Sequence, residues 1–204
     1  MKIYDTKTAP TPRRVRIFLA EKQIPMDYVQ VDLAAGENLS DEMRAKNPMA
    51  KVPILELDDG TCISESVAIC RYFELLHPEP PLMGTSALEQ AQTEMWQRQT
   101  EFGLFMQVGF CFQHTSGYFK DRMKPVPEFG EEAGKNAMAF MKILDRRLAD
   151  SEFIAGESFS IADITALCAI DFARVVKIRI DEEQTHLKRW HKAVSARSSV
   201  SGTL

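Results

Sequence analysis

Cysteine is scarce and poorly placed for metal or redox work: Cys62, Cys70, Cys111 and Cys168 are the only four in 204 residues. No C-x-x-C pair or zinc-ligand spacing occurs, which excludes a dithiol redox motif, a structural zinc site and a disulfide framework. The expected compartment is the cytosol. Long apolar runs are missing too, and the richest stretch, Phe102 to Phe112, is broken by Gly103, Gln107 and Gly109. That is far short of the roughly 20 residues a membrane helix needs, so an integral membrane protein is not expected. Met1-Lys2-Ile3-Tyr4-Asp5 reaches an acid before an apolar segment forms, and no secretory signal is expected. Positive charge is not in excess either: 25 Lys and Arg face 29 Asp and Glu, for a net charge of -4 with interspersed signs. Nucleic acid, whose phosphates demand a concentrated basic face, is excluded as a partner. The ligand is to be sought among small molecules.

What the chain does have is an ordinary globular composition, 45% apolar and 26% charged, and a length that suits one large domain or two small ones. Its character changes at His77-Pro78-Glu79-Pro80-Pro81, where three prolines in four positions stop any helix and Gly84 follows. Upstream, strand-like runs at residues 2–5, 27–31, 52–57 and 61–64 alternate with helix-like runs. Downstream the pattern is helical almost throughout. The expected organisation is an α/β domain over residues 1–76, a linker over 77–85 and an all-helical domain over 86–204.

Thr11 and Pro12 read as the N-cap and first position of a helix that buries Val15, Phe18 and Leu19. Asp58-Asp59-Gly60 separates two short apolar runs and predicts an antiparallel hairpin. The next helix begins with Glu65 and Ser66 and sets Ile69, Tyr72 and Phe73 on one face, so the order is βαβ followed by ββα. In the second half Ala137, Met141, Leu144 and Leu148 recur at helical spacing. Ser160-Ile161-Ala162-Asp163 is a capping box ahead of the apolar run from Ile164 to Ile170, and it fixes the start of a buried helix.

Four segments in this order, the first βα unit, Asn47-Pro-Met-Ala-Lys51-Val52-Pro53, Gly60-Thr-Cys-Ile-Ser-Glu65-Ser66-Val-Ala-Ile69 and Ala155-Gly-Glu-Ser-Phe-Ser-Ile-Ala-Asp163, together resemble a cytosolic glutathione S-transferase. The resemblance spans nearly the whole chain. It implies a thioredoxin-like N-terminal domain, an all-α helical-bundle C-terminal domain that supplies the acceptor pocket, and a homodimer. It further implies glutathione as co-substrate, no metal, and a hydrophobic electrophile as second substrate.

Glutathione carries a peptide backbone, two carboxylates, an amine and a thiol. The resemblance implies a cis bond before Pro53, which turns the backbone N–H and C=O of Val52 toward the cysteinyl part of the tripeptide. Glu65 and Ser66, at a helix start, suit the γ-glutamyl end through free N–H groups and a hydroxyl, or they form an ordinary first turn. Lys51 suits the glycyl carboxylate, or is a solvated surface lysine. Asn38 and Asn47 are further polar candidates, with a turn role open for Asn47. Thiol activation is the missing part, because a thiol is mostly protonated at neutral pH and the family uses Tyr, Ser or Cys near the first helix. Residues 6–12, Thr-Lys-Thr-Ala-Pro-Thr-Pro, contain none of the three. Thr11 is the first candidate and Thr8 the second, with Arg13 or Arg14 favouring a thiolate, while N-capping remains the competing role for Thr11. Phe102, Phe105, Met106, Phe110, Phe112 and Tyr118, with Gln107 and His114 as polar points, form the candidate acceptor wall or else core and interface.

Overall fold

Four short strands form one mixed sheet in the order β2-β1-β3-β4. β1 (Lys2–Asp5) runs parallel to β2 (Asp27–Gln30) and antiparallel to β3 (Ile54–Glu56), which pairs antiparallel with β4 (Cys62–Ser64). The computed structural model describes residues 1–203 and divides them into two units, the first made of Met1–Leu82 and the C-terminal residues from Ser198 on. The parallel pair requires a crossover, which α1 (Pro10–Glu21) supplies. The tight turn at Asp58-Asp59-Gly60, with Gly60 at φ +86, closes the hairpin, a backbone angle that glycine adopts without a steric penalty.

Alternation along the strands sorts the core onto two faces. Tyr4 and Ile54 join Val31, Met43 and Val52 in one cluster, with Met43 contributed by α2 (Asp41–Lys46). Ile3 and Leu55, paired across the sheet, belong to the other face, where α1 and α3 (Ser66–Leu76) pack together. Val15, Phe18 and Leu19 of α1 and Ile69 and Phe73 of α3 are buried as the spacing predicts. So are Arg13 and Arg14, which the periodicity did not single out.

Two boundaries differ from the sequence reading. α1 starts at Pro10, with Ala9 as its extended N-cap and no side-chain capping bond, so Thr11 lies inside the first turn and is not the cap. Prolines at the first and third helical positions cost the helix nothing, because neither N–H has an intrahelical acceptor. At the other end of the chain, residues from Ser198 group with the first unit and not with the helical one: α9 (Ser198–Ser201) packs on α1, and Ser199 Oγ donates to Glu21. Lys22 fixes the stretch after α3 to the same unit. Its buried ammonium donates to the carbonyl oxygens of His77 (2.6 Å) and Pro80 (2.8 Å) and pairs with Glu74 at 2.7 Å.

The second unit, Met83–Arg197, contains α4 (Ala87–Thr100), α5 (Met106–Thr115), α6 (Pro127–Arg147), α7 (Ile161–Ala173) and α8 (Thr185–Ser195). Ser86 and Glu89 cap α4 reciprocally. A π-helical turn, Glu101–Phe105, joins α4 to α5, and Gly103 there lies against the Phe140 ring so closely that a Cβ would stand 2.2 Å from Cδ2. α7 is the centre: every residue from Ile161 to Ile170 is buried, as suits a helix apolar all round. Its N-terminus holds the capping box the sequence predicts, and Asp163 does more than cap. One carboxylate oxygen accepts from the Ile154 N–H (2.9 Å) and Trp190 Nε1 (2.8 Å), and the other from the N–H (3.0 Å) and hydroxyl (2.9 Å) of Ser160. Burial pushes this carboxyl above its ordinary value against those four donors.

Candidate glutathione site

The candidate residues of the first unit come together through two side-chain bonds. From the first turn of α1, Thr11 Oγ1 donates to the carbonyl oxygen of Val52 at 3.2 Å. One turn later Arg14 Nη1 donates to Ser66 Oγ at 3.0 Å, tying α1 to the first residue of α3. The Val52-Pro53 peptide bond is cis, as the resemblance implied, and both residues are buried.

The loop ahead of that bond is shaped by the two asparagines. Asn38 Nδ2 donates to the Ala50 carbonyl (2.7 Å) and Asn47 Nδ2 to the Lys51 carbonyl (2.8 Å), while Asn47 Oδ1 accepts from the Met49 N–H (3.1 Å). Both asparagines thus serve backbone geometry. Ala50 is held at φ +52 and Glu65 at φ +70, a region disfavoured for residues with a Cβ. Backbone strain of this kind concentrates at ligand sites, where the surrounding structure over-determines it. Ala50 directly precedes Lys51-Val52-Pro53 and Glu65 belongs to the second segment, while Gln23 and Lys177 have positive φ outside both.

Glu65 occupies the N-cap position of α3 without making a capping bond, and its side chain is exposed. The first-turn N–H groups of α3 therefore lack the side-chain partner that an ordinary capped turn would give them. Ser66 is buried, and its oxygen serves Arg14. Arg13 is buried on α1 next to Arg14. Lys51 is exposed at the rim, and Thr8 is exposed in the turn before α1. Lys51 meets the other candidates only through its carbonyl, which accepts from Asn47.

Tyr4, read as a packing residue, does pack in the sheet, and its hydroxyl donates to Glu56 at 2.9 Å. Lys46 donates to the same carboxylate oxygen at 2.7 Å, and together these bonds hold the Glu56 carboxyl down at about 2. In the helical unit, Phe112 sits among the rings of Tyr118, Phe119 and Phe172, with centroids 5.0 to 6.0 Å apart. It is a packing residue there. Phe102, Met106 and Tyr118 are exposed. His114 Nδ1 accepts the Val126 N–H at 3.0 Å, which commits that nitrogen to the entry of α6. Among the described residues no group of three or more His, Cys, Asp or Glu could hold a metal ion, and no helix is long and apolar enough to cross a membrane.

Comparisons with known proteins agree with this fold. Residues 3–81 match the model of the glutathione S-transferase N-terminal domain and residues 110–198 that of the C-terminal domain. Glutathione S-transferase 2 of Saccharomyces cerevisiae is 38% identical over all of this chain and 89% of its own length. The chain belongs to the glutathione S-transferase family, and it is an enzyme of that family. The crystal structure of yeast Gtt2 superposes with a TM-score of 0.96 at 38% identity, covering both chains fully. A glutathione S-transferase domain-containing protein from Marinobacter aquaeolei gives 0.95 at 42% identity, over 98% of this chain and 100% of that one. An elongation factor 1-gamma from Oryza sativa is 31% identical over 79% of this transferase chain, which matches only 39% of that longer protein.

Sequence reasoning overlooked Arg14 as the partner of Ser66. The signal was present, since Arg14 occupies a position four before Phe18 on the buried face of an amphipathic helix.

Proposed function

We propose that this transferase binds glutathione against the first unit, lowers the pKa of its thiol and directs the sulfur at the electrophilic carbon of a hydrophobic second substrate. The observation that carries the reading is the pair of bonds Thr11 to Val52 and Arg14 to Ser66, which brings the backbone-pairing segment and the anion-binding helix start to one end of α1. The backbone of Val52 pairs with the cysteinyl residue like an added strand. Ser66 and the first-turn N–H groups of α3 take the γ-glutamyl carboxylate, Glu65 faces its ammonium, and Lys51 at the rim meets the glycyl carboxylate.

Thr11 is better placed than Thr8 to serve the sulfur. At 3.2 Å its bond to Val52 is long for a hydroxyl donor, so the hydrogen turns to a thiolate at little cost, and buried Arg13 adds positive charge nearby. The thiol proton leaves to solvent, the sulfur–carbon bond forms, and the leaving group departs from carbon. The hydrophobic character of the second substrate is what an apolar acceptor pocket would select.

Exposed Leu88, Met95 and Phe102 recur every seven residues along one side of α4 and its continuation. A second copy of the chain is the occupant proposed for that stripe, giving a homodimer.

The absence of Tyr, Ser and Cys from residues 6–12 favours one further reading, glutathione-dependent reduction of disulfides or hydroperoxides. A non-catalytic binding role on the same fold is set aside, because the chain is an enzyme of its family. Assays of the purified protein with glutathione and an aromatic halide, a small disulfide or a hydroperoxide separate the two. Conjugation faster than either reduction supports the proposal, faster reduction replaces it with the second reading, and no turnover with any of these acceptors overturns both.

A further inference from the structure

A serine hydroxyl offers one hydrogen and two lone pairs, so its partners decide whether it presents itself to a ligand as donor or acceptor. At Ser66 one lone pair is taken by a guanidinium, a charge-assisted bond from a side chain that is 1% exposed. Arg14 cannot be deprotonated in a protein and cannot accept, so Ser66 can never turn its hydrogen toward it. The hydrogen is left for whatever lies on the far side, at the start of α3, where the N-cap residue Glu65 makes no capping bond. The oxygen keeps one lone pair, but the free hydrogen, polarised by the cation, and the neighbouring helix N–H groups, which no side chain caps, are donors that suit an acceptor-only anion.

We infer that Arg14 is a positioning residue for substrate recognition: by occupying the oxygen of Ser66 it fixes that hydroxyl as a donor to the α-carboxylate of the γ-glutamyl group. The inference rests on the proposed reading that this group binds at Glu65-Ser66. Arg14 itself stays beneath the site and touches no substrate atom. The thiol chemistry, at the other bond to α1, is left untouched by it.

The test compares S-methylglutathione with its analogue lacking the γ-glutamyl α-carboxylate, each titrated calorimetrically into the wild-type protein and into Arg14→Met, Arg14→Lys and Ser66→Ala. The wild type is expected to prefer the carboxylate-bearing ligand by tenfold or more, about the worth of one charge-assisted hydrogen bond. Arg14→Met is expected to erase most of that preference while leaving affinity for the analogue within about threefold, and Arg14→Lys to restore part of it. Ser66→Ala erases the preference, and adding Arg14→Met to it changes nothing more. Steady-state kinetics should show the loss in KM for glutathione with kcat nearly unchanged. Equal weakening of both ligands by Arg14→Met reduces Arg14 to a packing role and overturns the inference. A wild type that does not distinguish the two ligands overturns the γ-glutamyl reading itself. Should Arg14→Met fail to fold, nitrogen-15 resonances of the Arg14 guanidinium in the wild type decide: movement with S-methylglutathione and not with the analogue supports the inference, and equal response to both overturns it.

Discussion

Replacing Asp163 with alanine is expected to cost far more than a helix cap. The carboxylate accepts from Ile154 N–H, Trp190 Nε1, Ser160 N–H and the Ser160 hydroxyl, all between 2.8 and 3.0 Å and all buried. The hydroxyl can turn elsewhere, which leaves three fixed donors without an acceptor. At about 1–3 kcal/mol for each unsatisfied group the gross loss is about 3–9 kcal/mol. Relief from holding a charge in a site that burial makes hostile to it offsets part of this. A net loss of about 4 kcal/mol remains, a large share of the 5–15 kcal/mol typical of whole-domain stability. Asp163→Asn keeps an acceptor for Ile154 and Trp190 but sets an amide N–H against that of Ser160, so its loss should be about 1–2 kcal/mol, the scale of one cap. Urea unfolding followed by far-ultraviolet circular dichroism and by tryptophan fluorescence measures both. An alanine variant within about 1 kcal/mol of the wild type would refute the idea that the carboxylate organises the start of α7, the Ile154 turn and α8 together.

Three further outcomes are expected. Lys22→Met removes a fully buried ammonium from the Glu74 carboxylate and from two carbonyls and should cost about 3 kcal/mol in urea unfolding, with faster proteolytic nicking near residues 77–81. The Glu56 carboxyl, drawn from 4.5 to about 2 by Lys46 and then Tyr4, adds stability that is complete above its ordinary value and is lost as pH falls through that window. Glu56→Gln should therefore be less stable than the wild type at neutral pH and equal to it near the lower end. Thr11→Val should lower kcat for conjugation about tenfold or more while glutathione binding stays within about threefold, and an unchanged kcat would remove Thr11 from the chemistry.

The parts of the fold that could be read from sequence are those governed by local rules. The Asp58-Asp59-Gly60 turn, the prolines after residue 77 and the Ser160–Asp163 box each have one physical solution, and the structure adopts it. The start of α1 was misplaced because Thr11 carries the preferred capping side chain, whereas the backbone caps itself at Ala9 and two prolines need no N–H partner. The need for glycine at 103, in the π-turn, comes from the ring of Phe140, 37 residues away, and no local pattern reports it. At the site the same division holds. Val52, Pro53, Glu65 and Ser66 lie in motifs whose spacing is visible, while the orientation of Ser66 depends on Arg14, 52 residues earlier. The periodicity of α1 did not single out Arg14, and only the packing of α1 on α3 gives it Ser66 as a partner.

The central claim is that glutathione binds across Val52-Pro53 and Glu65-Ser66. Calorimetric titration of glutathione into the purified protein at neutral pH, repeated with Ser66→Ala, tests it most directly. Saturable binding at one site per chain, weakened about tenfold or more by the substitution, is the predicted result. No saturation up to about 10 mM, or equal affinity in the two proteins, would contradict it.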